Sequence, residues 1–292
     1  MVASLALPVV AVLAAACGSS GKTTSEATVA PPKAVGSVAA QVPKATKSKG
    51  SLTVAADATY APNEFIGPDG HTVVGMDADL AQALGHVMGL RVNMVNATFD
   101  TIIPGIASGK YDLGMSSFTD TLARQRTVNF VTYFVAGTSF YVKTSGGPNI
   151  RSLADLCGHK VAVEKGTTQQ ADATAQGKRC KSAGKPAVSL QIFNDQNAVN
   201  LALSSGRADV AMADSPVAAY QVKQSNGTFK LSGKSYGTAP YGIAMAKNSG
   251  LDAPVLSAMK VLIANGTYAK ILKKWGIQAG AITSPVINGA TS

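Results

Sequence analysis

The stretch GMDADLAQALGHVMGLRVNMV, residues 75–95, contains the clearest structural pattern in the chain. Its first part repeats apolar residues at helical spacing behind an acidic first turn, and Gly89 follows as a stop. Residues 91–95 then have the apolar composition of a short strand. The stretch therefore predicts a helix over 77–88 that leads directly into a strand, as in an α/β fold.

The same alternation of strand and helix continues outward in both directions. Strands are predicted at 52–56, 91–95, 113–115, 160–163, 189–193, 209–213 and 241–246. Helices are predicted at 77–88, 100–107, from about 167, and at 198–204, 215–225, 251–264 and 267–275. Repeated βα units imply mainly parallel sheets with helices on both faces.

The composition is that of a globular protein with a sizeable core. Of 292 residues, 46% are hydrophobic and only 14% are charged. The formal net charge is +10, but the basic residues are scattered and are not interleaved with aromatic residues as in nucleic-acid binders. We therefore expect no nucleic-acid partner and attribute the charge to solubility near an anionic cell surface.

The N-terminus has the pattern of a secretory signal peptide, predicted at 1–16. Residues 2–16 carry no charge, are nearly all small or apolar, and form too short a run for a membrane span. Cys17 directly follows three alanines and resembles the acylated cysteine of the bacterial lipobox. The alternative is a plain cleaved signal with an incidental cysteine.

The segment that follows is rich in Ser, Thr, Ala, Pro and Lys and has no periodic apolar face. It predicts a flexible tether that, with the lipidated Cys17, covers residues 17–49. The folded part is then expected outside the cytoplasm, held by lipid to the outer face of the cell membrane.

Cys157 and Cys180 remain as a pair if the first cysteine carries lipid. An even pair in an oxidising compartment predicts a disulfide, and two reduced thiols are the alternative. Two cysteines without paired histidines are not a zinc ligand set. The three histidines show no spacing typical of a metal site or a catalytic triad, so no metal, cofactor or catalytic residue is expected.

Several segments together resemble the polar amino acid family, family 3, of bacterial extracellular solute-binding proteins. GMDADL at 75–80 is similar to the family signature, although Met76 and Ala78 depart from its usual residues. The resemblance runs in family order from about residue 51 to 277. The other segments that carry it are DATYAP at 57–62, FDTIIP at 99–104, SSFT at 116–119, GTTQ at 166–169, VAMAD at 210–214, NGTY at 265–268 and KWG at 274–276.

The resemblance implies a two-lobed periplasmic-binding-protein fold of type II, with two α/β lobes joined by two hinge crossovers. Each lobe is expected to be a mainly parallel sheet flanked by helices. The crossings are expected near 138–143 and 237–241. The predicted boundaries are 50–139 and 240–281 for lobe 1, 140–239 for lobe 2, and 282–292 for a C-terminal tail.

An α-amino acid presents a carboxylate and an ammonium, and each needs a partner when it leaves water. Arg124 offers a planar fork for the carboxylate, and Ser117 and Thr119 lie just before it. Thr168 lies at a predicted helix start, where free N–H groups favour an anion. Asp214 ends a strand and is expected to accept from the ammonium, the alternative being a plain helix cap.

The ligand side chain is expected between the aromatic walls Tyr60 and Phe99, which ordinary core packing would also explain. The family directs two further positions at that side chain, and both are acidic here, Asp57 and Glu164. They favour a cationic or amide side chain over a carboxylate, unless Glu164 pairs with neighbouring Lys165.

The expected function is binding of a polar or cationic amino acid and its delivery to the membrane permease of an ABC importer. No Walker-type loop is present in the sequence, so the ATPase is expected as a separate subunit. The protein is expected to be a monomer and not an enzyme. The alternatives are an amino-acid-sensing receptor subunit and a dehydratase on the same fold, which needs a general acid.

Overall fold

The chain alternates strands and helices, and the computed structural model describes Met1 and residues 29–291. In chain order the strands are β1 (Ser51–Ala56), β2 (Thr59–Tyr60), β3 (Glu64–Ile66), β4 (Val73–Val74), β5 (Arg91–Asn96), β6 (Leu113–Gly114), β7 (Val128–Lys143), β8 (Lys160–Glu164), β9 (Ser189–Phe193), β10 (Val210–Asp214) and β11 (Phe229–Ala246). The α-helices are α1 (Gly36–Ala39), α2 (Lys44–Lys49), α3 (Met76–Met88), α4 (Phe99–Ala107), α5 (Leu122–Gln125), α6 (Thr168–Ser182), α7 (Gln196–Ser204), α8 (Ser215–Gln224), α9 (Asp252–Ala264) and α10 (Thr267–Trp275). The predicted strands and helices are all present, to within a few residues at their ends except for the strand predicted at 241–246, which is the last part of the much longer β11.

One eight-stranded sheet runs through both lobes in the order β5-β1-β6-β11-β7-β10-β8-β9. Within lobe 1, β1 pairs in parallel with β5 and β6, and within lobe 2, β8 pairs in parallel with β9 and β10. The long strands β7 and β11 pair antiparallel with each other and join the lobes. This confirms the two-lobed α/β fold with mainly parallel lobes and two crossovers.

The crossing between the lobes lies where the β7–β11 register shifts. The register is irregular between Ser232 and Tyr236 and again between Tyr236 and Ala239, opposite residues 136–138 of β7. Bulges of this kind bend a strand pair and loosen its ladder. The predicted lobe boundaries fall in or next to this stretch and stay a prediction.

A separate hydrophobic core fills each lobe. In lobe 1, α3, α9 and α10 cover one face of the sheet around Leu80, Leu84 and Met259, and α4 covers the other. In lobe 2 the two faces are covered by α7 with α8 and by α6, respectively. Because each lobe has its own core, the lobes can move against each other while their interiors stay packed.

The segment 29–49, here called the N-terminal strap, packs on lobe 1, which corrects the prediction of a flexible tether for this part of the chain. Val38 and Val42 are buried, and Val35 N–H donates to the carbonyl of Val87 at 3.0 Å. Val35, Val38 and Val42 recur at three- and four-residue spacing, an apolar stripe that the polar composition obscured. Residues 17–28 of the predicted tether, with Cys17, lie outside the described residues, as does most of the predicted signal peptide.

The predicted C-terminal tail also packs on lobe 1. The amide of Thr132 donates to the carbonyl of Val286 at 2.9 Å, and the amide of Asn288 donates to the carbonyl of Phe130 at 2.9 Å. Among the described strands, the first part of β7 pairs with β11 on one side, and β10 pairs only with its later residues. The bonds from the tail provide partners for the backbone on the other side of this first part. Unpaired edge groups require such partners, so the tail extends the sheet.

The predicted disulfide between Cys157 and Cys180 is present. It ties the segment before β8 to the last turn of α6, with Cα atoms 5.6 Å apart. No single helix of the described part is long and apolar enough to cross a membrane. The bent pair α9–α10 passes by length and composition, but its apolar side chains pack in the core of lobe 1.

We expect Val38→Asp to lower the free energy of unfolding by about 2–4 kcal/mol, because it forces the strap to bury a charge or to leave lobe 1. The loss cannot exceed the free energy gained when the strap packs on lobe 1, because the strap of the variant can leave lobe 1 instead of burying the charge. Chemical denaturation and amide exchange at Val35 measure it. Ser37→Asp, at an exposed neighbouring position, is the matched control, and an equal loss in both variants contradicts the docked strap.

Candidate functional site

A small cavity lies between the lobes, at the ends of the strands that enter from each side. Its walls are formed by Tyr60, Phe99, Ser117, Thr119, Arg124, Thr167, Thr168, Gln169 and Asp214. Seven of the nine predicted ligand-binding residues are therefore together, and only Asp57 and Glu164 are absent from this wall. Carboxyl ends of strands in open α/β sheets are where such ligands bind.

Arg124 lies on the short helix α5 and points toward both lobes. Its Nη1 donates to the carbonyl of Thr119 at 2.8 Å, and its Nη2 donates to the carbonyl of Gly166 of lobe 2 at 3.0 Å. The guanidinium lies 5.3 Å from the ring of Phe99 and 5.4 Å from that of Phe118. Burial lowers the pKa of Arg124 to about 10, so it stays charged at neutral pH.

Asp214 ends β10, and both of its carboxylate oxygens accept hydrogen bonds. Tyr241 Oη donates to Oδ2 at 2.6 Å, and Gln169 Nε2 donates to Oδ1 at 2.7 Å. The side chain makes no capping bond to α8, so the plain helix cap is wrong for it. Burial raises the pKa of Asp214 to about 6, against the opposing effects of Tyr241, Gln169 and Arg124.

The start of α6 borders the cavity. Thr167 caps this helix, and its Oγ1 accepts from the amide of Gln170 at 3.2 Å. Thr168, the first helical residue, and Gln169 both line the cavity. A helix start so placed favours an anionic group between it and Arg124.

Asp57 is a structural residue as well as a cleft neighbour. Its Oδ1 accepts from Thr59 Oγ1 at 2.7 Å, and its Oδ2 accepts from the amide of Phe99 at 2.9 Å. The second bond caps the start of α4 from another part of the chain. Both oxygens are thus engaged before any ligand side chain is considered.

Glu164, at the end of β8, is buried. No hydrogen-bond partner for its Oε1 is found among the described residues. Lys165 does not neutralise it, because the Nζ of Lys165 pairs with Asp100 at 2.8 Å. Burial, with Asp57 and Asp195 nearby, raises the pKa of Glu164 well above its usual range.

The lobes are closed on each other in this structure. Besides the bond from Arg124 to Gly166, the amide of Asp214 donates to Tyr60 Oη at 3.2 Å, and the amide of Gln196 donates to Thr59 Oγ1 at 3.1 Å. The last two bonds join β2 to lobe 2, and the bond from Arg124 joins α5 to lobe 2. They position the site residues of the two lobes around one cavity.

Four residues that contribute to this site were missed in the sequence. Thr167 and Gln169 belong to the GTTQ segment and Tyr241 to a predicted strand, but none of them carries a charge that marks a site. Asp195 caps α7, where its Oδ1 accepts from the amide of Ala198 at 2.8 Å, a role that the sequence predicts for any such acid. In the described part, no cluster of three or more His, Cys, Asp or Glu has the arrangement of a metal site.

Residues 52–278 match the family model of the bacterial extracellular solute-binding proteins, family 3. This match covers more than half of the chain, so the chain belongs to that family. Its fold and its interlobe cavity are those of an amino-acid solute-binding protein.

Relatives agree with this assignment. The chain is 32% identical over 258 residues to the arginine-binding protein ArgT of Corynebacterium glutamicum, covering 88% of this chain and 84% of the relative. It is 38% identical to a solved ancestral arginine-binding protein bound to arginine, with a TM-score of 0.71 over 77% of this chain and 98% of that one. The protein AbpA of Streptococcus pneumoniae, solved with L-arginine, has 27% identity and a TM-score of 0.72, covering 80% of this chain and 98% of its own.

We expect the stability supported by Asp214 to depend on pH. Its pKa is raised from 3.8 to about 6, so the folded protein holds a proton there that the unfolded chain releases. This contribution is present below pH 3.8 and is lost as the pH rises through 6. The difference in unfolding free energy between wild type and Asp214→Asn should therefore fall by about 3 kcal/mol between acidic and neutral pH, measured by denaturation at each pH. A constant difference contradicts the raised pKa.

Proposed function

We propose that the protein binds a free amino acid with a cationic side chain, foremost arginine, between its lobes outside the cytoplasm. The observation that carries this proposal is the placement of Arg124 and Asp214, opposite charges from different lobes, in the wall of one small cavity. A free α-amino acid carries the complementary pair of charges on a single carbon. Desolvating either charge without a partner is unfavourable, so the pair favours this ligand class.

The ligand carboxylate is proposed to lie between Arg124 and the start of α6. Arg124 already donates to two carbonyls in the closed structure, and a carboxylate would take over donors of the same fork. The ammonium is proposed to lie against Asp214, whose position is held by Tyr241 and Gln169. Contact with both lobes is possible only when they are closed, so binding favours closure.

The side-chain preference rests on Glu164. Its buried Oε1 has no hydrogen-bond partner among the described residues, Asp57 and Asp195 lie nearby, and we propose that these three acids form an acidic end to the cleft behind the cavity wall. A guanidinium or ammonium there would supply the missing donor, whereas a carboxylate side chain would add a further like charge. The arginine-binding relatives support this, and an ancestral protein solved with glutamine, 36% identical to this chain, supports an amide as second choice.

The protein is further proposed to act outside the cytoplasm and to deliver its ligand to a membrane permease. Family membership supports an extracytoplasmic protein that presents its ligand to the permease of an ABC importer, with ATP hydrolysis on a separate subunit. Acylation at Cys17 and removal of the signal peptide remain proposals, as does the monomeric state. The matched relatives are binding proteins, which supports a non-enzymatic role, while one ancestral relative of 32% identity is described as a precursor of a dehydratase.

A panel of amino acids tests this function on the protein that begins after Cys17. Arginine and lysine should raise the melting temperature most, glutamine less, and glutamate not at all. A ligand at about 100 times its Kd adds about 2.7 kcal/mol of stability. If glutamate stabilises the protein and arginine does not, the proposed specificity is wrong. If no amino acid is bound, the proposed function is wrong.

Arg124→Ala should weaken arginine binding about 100-fold or more in calorimetry, because it leaves the ligand carboxylate without its charged partner. Arg126→Ala is the matched control, since Arg126 is exposed two residues further along. Equal affinities of the two variants would contradict the role of Arg124.

Glu164→Gln should weaken arginine binding about tenfold and leave glutamine binding nearly unchanged, because only the cationic side chain loses a charge partner. Titration of one variant with both ligands provides the internal control. A loss of the same size for both ligands indicates a structural role for Glu164 instead of a specificity role.

A further inference from the structure

Two buried carboxyl groups lie behind the ligand-facing wall of lobe 1. Glu64 of β3 and Asp77 of α3 are each 0% exposed, and their carboxyl groups are in hydrogen-bonding contact. Neither has an ion-pair partner in the part of the chain that the structure describes. Two touching carboxylates without a buried cation cannot both be ionised, so the pair must hold a proton.

The hydrogen bonds of this pair go to two consecutive serines. Ser116 Oγ donates to Glu64 Oε1 at 2.9 Å, and the amide of Ser117 donates to Asp77 Oδ2 at 2.8 Å. Ser117 Oγ lies 3.3 Å from Glu64 Oε2 and 3.2 Å from Asp77 Oδ2, and it accepts from Asn63 Nδ2 at 2.8 Å. The hydroxyl of Ser117 is thus engaged with the buried pair.

Each serine connects the pair to a different part of the cleft. Ser116 Oγ accepts from the amide of Asp57 at 2.9 Å, so it holds the loop that carries Asp57 and Tyr60. Ser117 has a φ of 50°, which is unfavourable for a residue with a side chain. The turn that it makes leads to Phe118 and Thr119, which contact the guanidinium of Arg124.

The backbone geometry at the start of α3 also brings the two carboxyl groups together. Gly75 has a φ of 127°, and a Cβ there would overlap the backbone of Asn63. The close approach lets the amide of Asp77 donate to the carbonyl of Asn63 at 2.8 Å. The start of α3 is thereby fixed against the segment before β3, with the two carboxyl groups facing each other.

We propose that Glu64 and Asp77 share one proton and act as a unit that positions the ligand-binding wall of lobe 1 through Ser116 and Ser117. Both are positioning residues, because neither lines the cavity. We place the proton on Glu64, because the amide of Ser117 donates to Asp77 Oδ2 and so favours the ionised form of Asp77. The inference deepens the proposed function, because its main readout is affinity for the proposed ligand.

Calorimetry with arginine at neutral pH tests the positioning role. Glu64→Ala should weaken binding at least tenfold, because it leaves Ser116, Ser117 and the charge of Asp77 without their partner. Glu64→Gln, whose amide can replace the shared O–H···O bond with N–H···O, should restore affinity to within about threefold of wild type. The double variant Glu64→Ala/Asp77→Ala should lose no more affinity than the worse single variant, since the two act as one unit.

The matched control is Asp79→Asn, two residues along the same helix. Asp79 accepts from Lys274 Nζ and Trp275 Nε1, both at 2.8 Å, and is not connected to Ser116 or Ser117. It should lower stability without changing affinity. Ser116→Ala, a small truncation that removes no carboxyl, should weaken arginine binding about fivefold. This variant tests the positioning role if the Glu64 variants do not fold. Equal losses in Asp79→Asn and Glu64→Ala, or wild-type affinity in Ser116→Ala, would overturn the positioning role.

The shared proton has a readout that needs no ligand. The titratable groups facing Glu64 are Asp77, Asp57, Tyr60 and Tyr133, and burial beside Asp77 raises the pKa of Glu64 well above 4.5. The folded protein keeps this proton above pH 4.5 while the unfolded chain loses it, so wild-type stability should decline relative to Glu64→Gln as the pH rises. Parallel stability curves would overturn the shared proton. If the wild type binds no amino acid but the curves diverge, the proposed function fails and the shared proton stands.

Discussion

The antiparallel pairing of β7 and β11 is the constraint on which the rest of this structure depends. Both strands run from one lobe into the other, so a single hydrogen-bonded sheet passes through both cores. The pairing shifts register twice at the crossing, between Ser232 and Tyr236 and between Tyr236 and Ala239, which favours bending there. The cavity lies beside this crossing. A small change in the backbone angles of β7 and β11 there therefore changes the distance between Arg124 and Asp214.

The site residues are held by buried polar contacts more than by apolar packing. Asp214 is fixed by Tyr241 and Gln169, and Arg124 lies against two aromatic rings and two carbonyls. Buried polar groups are costly when unpaired, so such networks tolerate few alternative arrangements. This explains why the cleft can be closed and still leave defined positions for a carboxylate and an ammonium.

The sequence predicted the parallel strands of both lobes, the seven longer helices, the disulfide and most of the residues that line the cavity, because helical periodicity, βα alternation and the family segments are local features. It did not predict β2, β3 and β4 or the full length of β7 and β11. It did not predict that the strap packs on lobe 1, because Val35, Val38 and Val42 lie in a segment of mostly polar composition. It also did not predict that the tail pairs with the edge of the sheet at Val286. It also did not predict the structural role of Asp57, whose oxygens cap α4 and hold Thr59. Those roles depend on which distant backbone groups meet in space, and no local pattern encodes them.

Glu164 links the choice of ligand to protonation. Burial and the nearby acids raise its pKa and so favour its neutral form, since an ionised Glu164 has no donor for Oε1 among the described residues. A neutral carboxyl can accept from an amide without changing its charge, while a guanidinium favours the ionised form and so favours release of the proton. Under the proposed function the same side chain accommodates both ligand types, but only the cationic ligand gains an ion pair. The ratio of the affinities for arginine and glutamine should therefore depend on the free energy needed to remove the proton from Glu164. Burial of this side chain sets that free energy.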